Sequence, residues 1–386
     1  MGVVVDGRRQ RGAATRAAIL DAAELLFSAG GFHGTSLRSI ATAVGMSHAG
    51  VLKHFADKGE LLAAVLERYD ERSRAYEQTL ADLPPDEHLL ALARFIVATP
   101  AIVQVNIALL GDAIDDDHRG HAYVGDLMDR VEAGIGVEGL AAWNGAQLLW
   151  LYLPERIDPP SLLLSFLGSP GPADNPPASV QAPLKHDDEP PARNREQEIV
   201  AAAADAFGHG GYRATGLREI AASMGLTHGA LLYHFATKTD LLAAVLEERD
   251  RDEALPWSLG SEPLDYLNGM YLQALYNEEH PELARLFSTL ACEATDPRHP
   301  AHSYFAQRYQ RVHDELRSAL AAVVDEGLAR ADLDVDLEAW SLIALWDGLG
   351  LRRFYREDDV GLPERLRRRL NSLLNVKLDH ASITTS

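Results

Sequence analysis

Displaced by 180 residues, this 386-residue chain lies on itself. LRSIATAVGMSHAGVLKHFADKGELLAAVLE, from Leu37, matches LREIAASMGLTHGALLYHFATKTDLLAAVLE, from Leu217, and residues 15–70 share 26 identities with residues 195–250 over 56 gapless positions. A chain with such self-similarity builds one supersecondary unit twice, and any fold assigned to one copy must serve the other. The register resumes as His121-Ala-Tyr123 over His302-Ser-Tyr304, a displacement of 181, and then as Trp143-Asn-Gly145 over Trp346-Asp-Gly348, a displacement of 203. The first copy is therefore shorter by 22 residues late in its length.

Between the copies, residues 168–192 hold seven prolines and no periodic pattern, which predicts an extended linker. The expected organisation is a small domain over 9–70, a shortened helical body over 71–167, the linker, a second small domain over 193–250 and a full helical body over 251–378. The tail to Ser386 is expected to be disordered. Everything outside the linker reads as helix. Ile19, Ala22, Ala23, Leu26 and Phe27 recur on one face, as do Ile199, Ala202, Ala203, Ala206 and Phe207. Leu37, Ile40, Ala41 and Val44, with their counterparts Leu217, Ile220, Ala221 and Met224, give a second apolar stripe. Thr35 and Thr215 stand where an N-cap is useful, Gly45 and Gly225 where a helix ends left-handed, and Ser47 and Thr227 where a hydroxyl opens the next helix.

Helix, glycine-containing turn and short helix form the helix-turn-helix plan, whose last helix enters the major groove of DNA. On that reading the helix begins at Ser47 and offers His48 and Ala49 to bases, Gly50 lets the backbone come close, and Lys53, His54 and Lys58 meet phosphates. The second copy offers Thr227, His228, Gly229, Ala230, Tyr233, His234 and Lys238, and Arg38 and Arg218 can add contacts from the preceding helices. Val51 or Leu52, Leu231 or Leu232, Phe55 and Phe235 are expected to point inward. Neither leading turn carries Arg, Asn or Gln, so base reading leans on His48, His228 and contacts to thymine methyls.

Thr35-x-Leu37-x-x-Ile40-Ala41-x-x-x-Gly45-x-Ser47-x-Gly50-x-Leu52-x-His54-Phe55-x-x-Lys58-x-x-Leu61-Leu62, with its copy, resembles the DNA-binding domain of the tetracycline-repressor (TetR) family over about 50 residues in each half. The resemblance implies an all-α fold of two tandem TetR-like units, each a three-helix DNA-binding domain with a ligand-binding and dimerisation body. It implies a regulator of transcription, usually a repressor, released from double-stranded DNA by a small molecule. The position that is commonly a phosphate-contacting tyrosine in the family is Tyr233 in the second copy and Lys53 in the first. Family members pair as homodimers. Here the expectation is an intrachain pseudo-dimer, with Val137–Tyr152 and Ser161–Leu167 against Leu337–Tyr355 and Pro363–Leu374. The alternative is a dimer of chains on a longer operator.

Charge distinguishes the copies. The whole chain carries −21, which opposes indiscriminate polyanion binding, yet Arg8 to Lys58 holds seven basic residues against three acids. From Arg193 to Asp240 the balance is five against five. A TetR-like interaction protein that has given up DNA is thus the second reading. The effector is expected in the longer second body, with Tyr271, Phe287, Tyr304 and Trp346 as candidate contacts. Asp117, His118 and His121, and Asp296, His299 and His302, have metal-ligand chemistry but read as loop residues, so no metal or other cofactor is expected. The single Cys292 forms no intrachain disulfide and reads as a small buried hydrophobe. No nucleotide-binding, HExxH or GxSxG motif suggests an enzyme. The start lacks a signal-peptide core, and the longest apolar stretch, Leu140–Leu153, is interrupted by Asn144 and Gln147. A cytoplasmic protein without a membrane partner is expected.

Overall fold

The computed structural model describes residues 3–116, 120–167, 194–257, 263–356, 361–376 and 378. The proline-rich segment, the tail, Asp117 and His118 lie outside them. Within the described residues every element is an α-helix apart from one isolated bridge, Ala329 to Leu374. None of these helices singly is long and apolar enough to cross a membrane. The chain divides into two compact units, Met1–Asp126 and Leu127–Ser386.

The first unit opens with α1 (Val3–Gly34), α2 (Leu37–Ala43), α3 (His48–Val51) and α4 (Lys58–Thr79), followed by α5 (Pro85–Val97) and α6 (Pro100–Asp112). Its periodic apolar residues do what their spacing requires: Ile19, Ala23, Phe27, Ile40, Ala41, Val51, Phe55, Leu61 and Val65 are buried in one core. The same fold recurs as α9 (Arg195–Ala214), α10 (Leu217–Ser223), α11 (His228–His234) and α12 (Lys238–Trp257), cored by Ile199, Ala203, Phe207, Ile220, Ala221, Leu231, Leu241 and Val245. Gly45 and Gly225 both adopt φ of +67°, a conformation open to glycine and strained for other residues.

The caps differ from the sequence expectation in one respect. Thr35 and Thr215 do not cap α2 and α10; those N-caps are Ser36 and Gly216. Both threonines are buried, and their hydroxyls donate across the corner to the preceding helix, Thr35 Oγ1 to the Leu26 carbonyl (3.0 Å) and Thr215 Oγ1 to those of Ala206 (3.1 Å) and Gly211 (2.8 Å). A buried hydroxyl needs a partner, and the nearby helix C-terminus leaves carbonyls in need of a donor.

The second unit contains α7 (His121–Tyr152) from its residue 127 on, α8 (Pro159–Leu167), α9 to α12, and a body of α13 (Pro263–Glu279), α14 (Pro281–Glu293), α15 (His302–Asp325), α16 (Val335–Arg352) and α17 (Leu362–Leu373). The 22-residue difference between the repeats is now physical. Where the second repeat has α15, a turn and α16, the first has one helix, α7, broken at Gly136 (φ 74°, ψ 174°). The described part of the first body thus keeps two helical halves and loses the connection between them.

The C-terminal half of α7 crosses α16 at backbone contact. A Cβ on Gly145 would strike the Ala344 carbonyl, and a Cβ on Gly348 would strike that of Ala141. These contacts are repeat-equivalent, since residues 141 and 145 correspond to 344 and 348. Around them Ala141, Leu345 and Leu349 form a buried cluster with Val137, Phe166 and Leu362 against it. Tyr152 inserts beside His302, Phe305 and Tyr309 and donates its hydroxyl to the Ala291 carbonyl (2.5 Å), while the Ser165 and Ser341 hydroxyls meet at 2.9 Å. Burial pushes the Tyr152 phenol well above its usual range.

Gly348→Ala should separate α7 from α16 and cost at least about 1–3 kcal/mol in a urea unfolding titration. Gly134→Ala, whose new Cβ would meet nothing within 4 Å, is the control and should be neutral or stabilising by about 0.5–1 kcal/mol.

Candidate nucleic-acid interface

Each candidate recognition helix is opened by its predicted hydroxyl. Ser47 Oγ accepts from Gly50 N and Thr227 Oγ1 from Ala230 N, both at 3.1 Å. α11 runs seven residues, whereas α3 keeps four and continues as a turn in which His54 N donates to the Val51 carbonyl at 2.9 Å. The sequence supplies a reason: Gly50 followed by β-branched Val51 favours a helix less than Ala230-Leu231 does. Val51 and Leu231 turn inward, leaving Leu52 and Leu232 exposed, and Phe55 is buried while Phe235 is half-buried.

Ser47, His48, Ala49, Lys53 and Arg38 are exposed in the first repeat, with Gly50, His54 and Lys58 half-buried beside them. Arg16, on α1, stacks its guanidinium 4.6 Å from the Phe55 ring centre. In the second repeat Thr227, Gly229, Ala230 and Arg218 are exposed, His228 is half-buried, and Tyr233 is 87% exposed. His234 stands edge-on to Tyr233 and 3.6 Å from the Glu196 carboxylate.

Lys238 is half-buried, as Lys58 is, and its partners are defined. Its Nζ donates to the Arg213 carbonyl at 3.3 Å and lies 4.3 Å from the Tyr212 ring centre, and burial lowers its pKa. That cation is therefore turned toward the end of α9. The surrounding clasp was not legible in the sequence. Glu293, at the end of α14, accepts from Tyr212 N (2.6 Å) and Arg213 N (2.8 Å) just past the break in α9 at Gly211. Thr289 Oγ1 donates to the Gly208 carbonyl at 3.1 Å, and the Arg213 guanidinium meets Asp296 at 2.6 Å. Burial, which on its own would raise the Asp296 carboxyl, is outweighed by hydrogen bonds from Arg298 and Arg213 that hold it at about 2.

The candidate metal groups resolve otherwise. Asp296 is thus bound to arginines, the His302 ring Nδ1 lies 2.8 Å from the Ala294 carbonyl, and His121 makes the equivalent contact with Ala113 at 2.8 Å. Among the described residues no group of three or more His, Cys, Asp or Glu side chains could hold a metal. Cys292 is buried.

A cavity of about 40 Å³ lies in the second body between α12, α13, α14 and α16. Of the four candidate ligand contacts it brings together Phe287 and Trp346. Tyr271 is buried elsewhere and Tyr304 gives its hydroxyl to Asp250 (2.6 Å). Sequence reasoning did not find the polar lining of Arg249, Gln273, Asp347 and Arg353. Gln273 is 1% exposed, and its Oε1 accepts no hydrogen bond.

Compared with known proteins, residues 19–65 and 199–245 each match the family model described as bacterial regulatory proteins, tetR family. Residues 290–378 match the C-terminal model of BetI-type transcriptional repressors. The HTH-type transcriptional repressor KstR2 of Mycolicibacterium smegmatis is 30% identical over 162 residues, covering 37% of this chain and 72% of that protein. The chain belongs to the TetR family. The probable HTH-type transcriptional regulator ArpR of Pseudomonas putida is 30% identical over 179 residues, 44% of this chain and 85% of its own length. The solved structure of the ketosteroid regulator KstR2 of Mycobacterium tuberculosis aligns with 48% of this chain and 97% of its own at 26% identity and a TM-score of 0.38. This TetR-family chain carries the family's helix-turn-helix domain twice, and each of these relatives accounts for less than half of it.

Because Asp296 titrates below its ordinary 3.8, its contribution to stability is present above that value and is lost as the pH falls toward about 2. Urea titrations from about pH 5 down to about pH 2 should show the deficit of Asp296→Asn shrinking with acidification, whereas a constant deficit would contradict the assignment.

Proposed function

We propose that this chain is a transcriptional repressor that works as a covalent pseudo-dimer. Its two recognition helices read the unequal halves of an imperfect palindrome whose centres lie about one helical turn (roughly 34 Å) or a little more apart, and a small-molecule effector in the second body releases it. His48 and His228 are the base readers. Ser47, Ala49, Gly50, Thr227, Gly229 and Ala230 let the backbone approach, while Arg38, Lys53, His54, Lys58, Arg218, Tyr233 and His234 serve phosphate or flanking contacts.

The observation that carries this reading is one-sided. Across the α7–α16 crossing, Arg352 pairs with Glu132 (2.7 Å), Arg356 with Asp129 (2.6 Å) and Arg365 with Glu138 (2.5 Å), so the second repeat supplies the arginines and the first the acids. The repeat equivalents of Arg352 and Arg356 are Leu149 and Leu153, and those of Asp129 and Glu132 are Gln310 and His313. Two copies of the second repeat meeting through this face would bring together arginines without those acids. Arg352 is 5% exposed, and a buried charge without its partner costs about 3–5 kcal/mol. The arrangement favours pairing within the chain over a dimer of chains.

The cavity supports the effector half of the proposal. Its 40 Å³ holds little more than a water, so an effector enters only by displacing walls. One wall is α14, whose Leu283, Ala284, Phe287 and Ser288 line the cavity and whose Thr289 and Glu293 make the clasp on α9. Gln273 Oε1 gives the effector a hydrogen-bond acceptor, and Phe287 and Trp346 give it aromatic faces.

A second reading has its own support. The neutral second helix-turn-helix unit and the inward Lys238 favour a protein whose second half contacts DNA weakly or engages a protein partner. Selection from a random duplex pool with the full-length chain at two salt concentrations separates the readings. Two unequal half-sites bound by one chain support the pseudo-dimer, one half-site means that the second unit is structural, and no enrichment favours the interaction protein. Lys53→Ala should weaken binding across sequences and reduce the salt slope by about 1, while Lys238→Ala should leave that slope unchanged.

A further inference from the structure

The two repeats build the seam between their three-helix unit and the helices behind it differently. In the first, Arg68 on α4 reaches α1, its Nη1 2.7 Å from Asp21 and its Nε 3.0 Å from Glu24, and Arg72 adds a contact with Glu24 at 3.2 Å. In the second, the residues equivalent to Asp21, Glu24 and Arg68 are Ala201, Ala204 and Glu248. Those replacements remove both acceptors and the donor, and a groove of about 290 Å³ lies there between α9, α12 and α14. That volume is near the lower end of small-molecule sites, roughly 300–1,000 Å³.

The groove is apolar on its floor and carries two arginines in its lining, Arg249 and Arg285. Val200, Ala201, Ala204, Val245 and Leu286 supply the floor, and Arg249 also lines it, where the first repeat has Tyr69. Arg249 is 7% exposed, its guanidinium lies 4.0 Å from the Phe287 ring centre, and it also borders the body cavity. Each rim carboxylate has a polar partner of its own: Asp205 has the His209 ring at 3.3 Å, Glu282 has the His280 ring at 3.3 Å, and Glu248 pairs with Arg251. Asp250, beside Arg249 at 3.8 Å, also receives the Tyr304 hydroxyl. A guanidinium shielded from water in this way attracts an anion more strongly than one on the surface.

We propose that this groove is a small-molecule site, distinct from the body cavity, for a compact apolar molecule with one anionic end: the hydrocarbon lies on the Ala201/Ala204 floor and the anion meets Arg249. Such a ligand would wedge α9 from α12 and from α14, the helix that the clasp of Glu293 ties to α9. The site therefore has a direct mechanical route to the second recognition helix. The inference goes beyond the proposed function and does not require the body cavity to bind anything.

The test uses the full-length protein and 1-anilinonaphthalene-8-sulfonate, an aromatic sulfonate, followed by fluorescence titration with a thermal melt of each variant. Saturable binding is expected, and Ala204→Phe should weaken it by about tenfold or more. The double variant A204E/E248R copies a pair with which the first repeat already folds, so it decides the matter should Ala204→Phe lose its fold; it too should abolish binding. Arg249→Gln should weaken the sulfonate by about tenfold while changing the uncharged N-phenyl-1-naphthylamine by no more than about twofold. Unchanged binding in A204E/E248R, or no saturable binding to the parent protein, overturns the proposal. If Gln273→Leu abolishes binding and A204E/E248R does not, the dye occupies the body cavity, and the groove proposal falls while the effector reading stands.

Discussion

The crossing of α7 and α16 at Gly145 and Gly348 sets the terms for the second unit. Two helices whose backbones touch leave no room for side chains at the point of contact, so specificity moves to the flanks. There Ala141, Leu345 and Leu349 fill the inside and the pairs Arg352–Glu132, Arg356–Asp129 and Arg365–Glu138 lock the outside. Since the last helices of the first repeat are spent on this contact, the compact units of the chain do not coincide with its two sequence repeats. The boundary falls inside α7, ahead of the Gly136 break.

The three-helix units were legible residue by residue because their determinants are local. Apolar spacing, a left-handed glycine and a capping hydroxyl all act within a few positions of one another. Thr35 and Thr215 show the limit of that logic. Their position before a helix suggested a cap, but the neighbouring Ser36 and Gly216 fill that role, and the threonines instead tie across the corner to carbonyls nine residues upstream. Lys238 was legible as a cation at the expected place. Its direction depended on Tyr212 and on the Arg213 carbonyl, 25 residues away, which no local pattern reveals.

The rest of the candidate site was hidden for the same reason on a longer scale. Glu293 and the residues it holds are about 80 positions apart, and Arg352 and Glu132 are 220 apart. One signal was available and unused. Reading the repeats against each other as substitutions, as well as identities, would have marked Asp21, Glu24 and Arg68 against Ala201, Ala204 and Glu248 as a staple present in one copy and lost from the other. Internal repetition thus offers a comparison within a single chain, in which each half serves as the reference for its twin.

The helix crossing has a further consequence because both of its members belong to one polypeptide. Its formation is a step of folding, first order in protein, and the fraction assembled does not fall on dilution. A regulator joined in this way would neither dissociate at a few molecules per cell nor exchange halves with related regulators synthesised beside it. Each half is also free to drift from the other without having to remain complementary to itself, as the two sides of a symmetric interface must. The loss of the α1–α4 staple in only one repeat is the kind of divergence that such freedom allows.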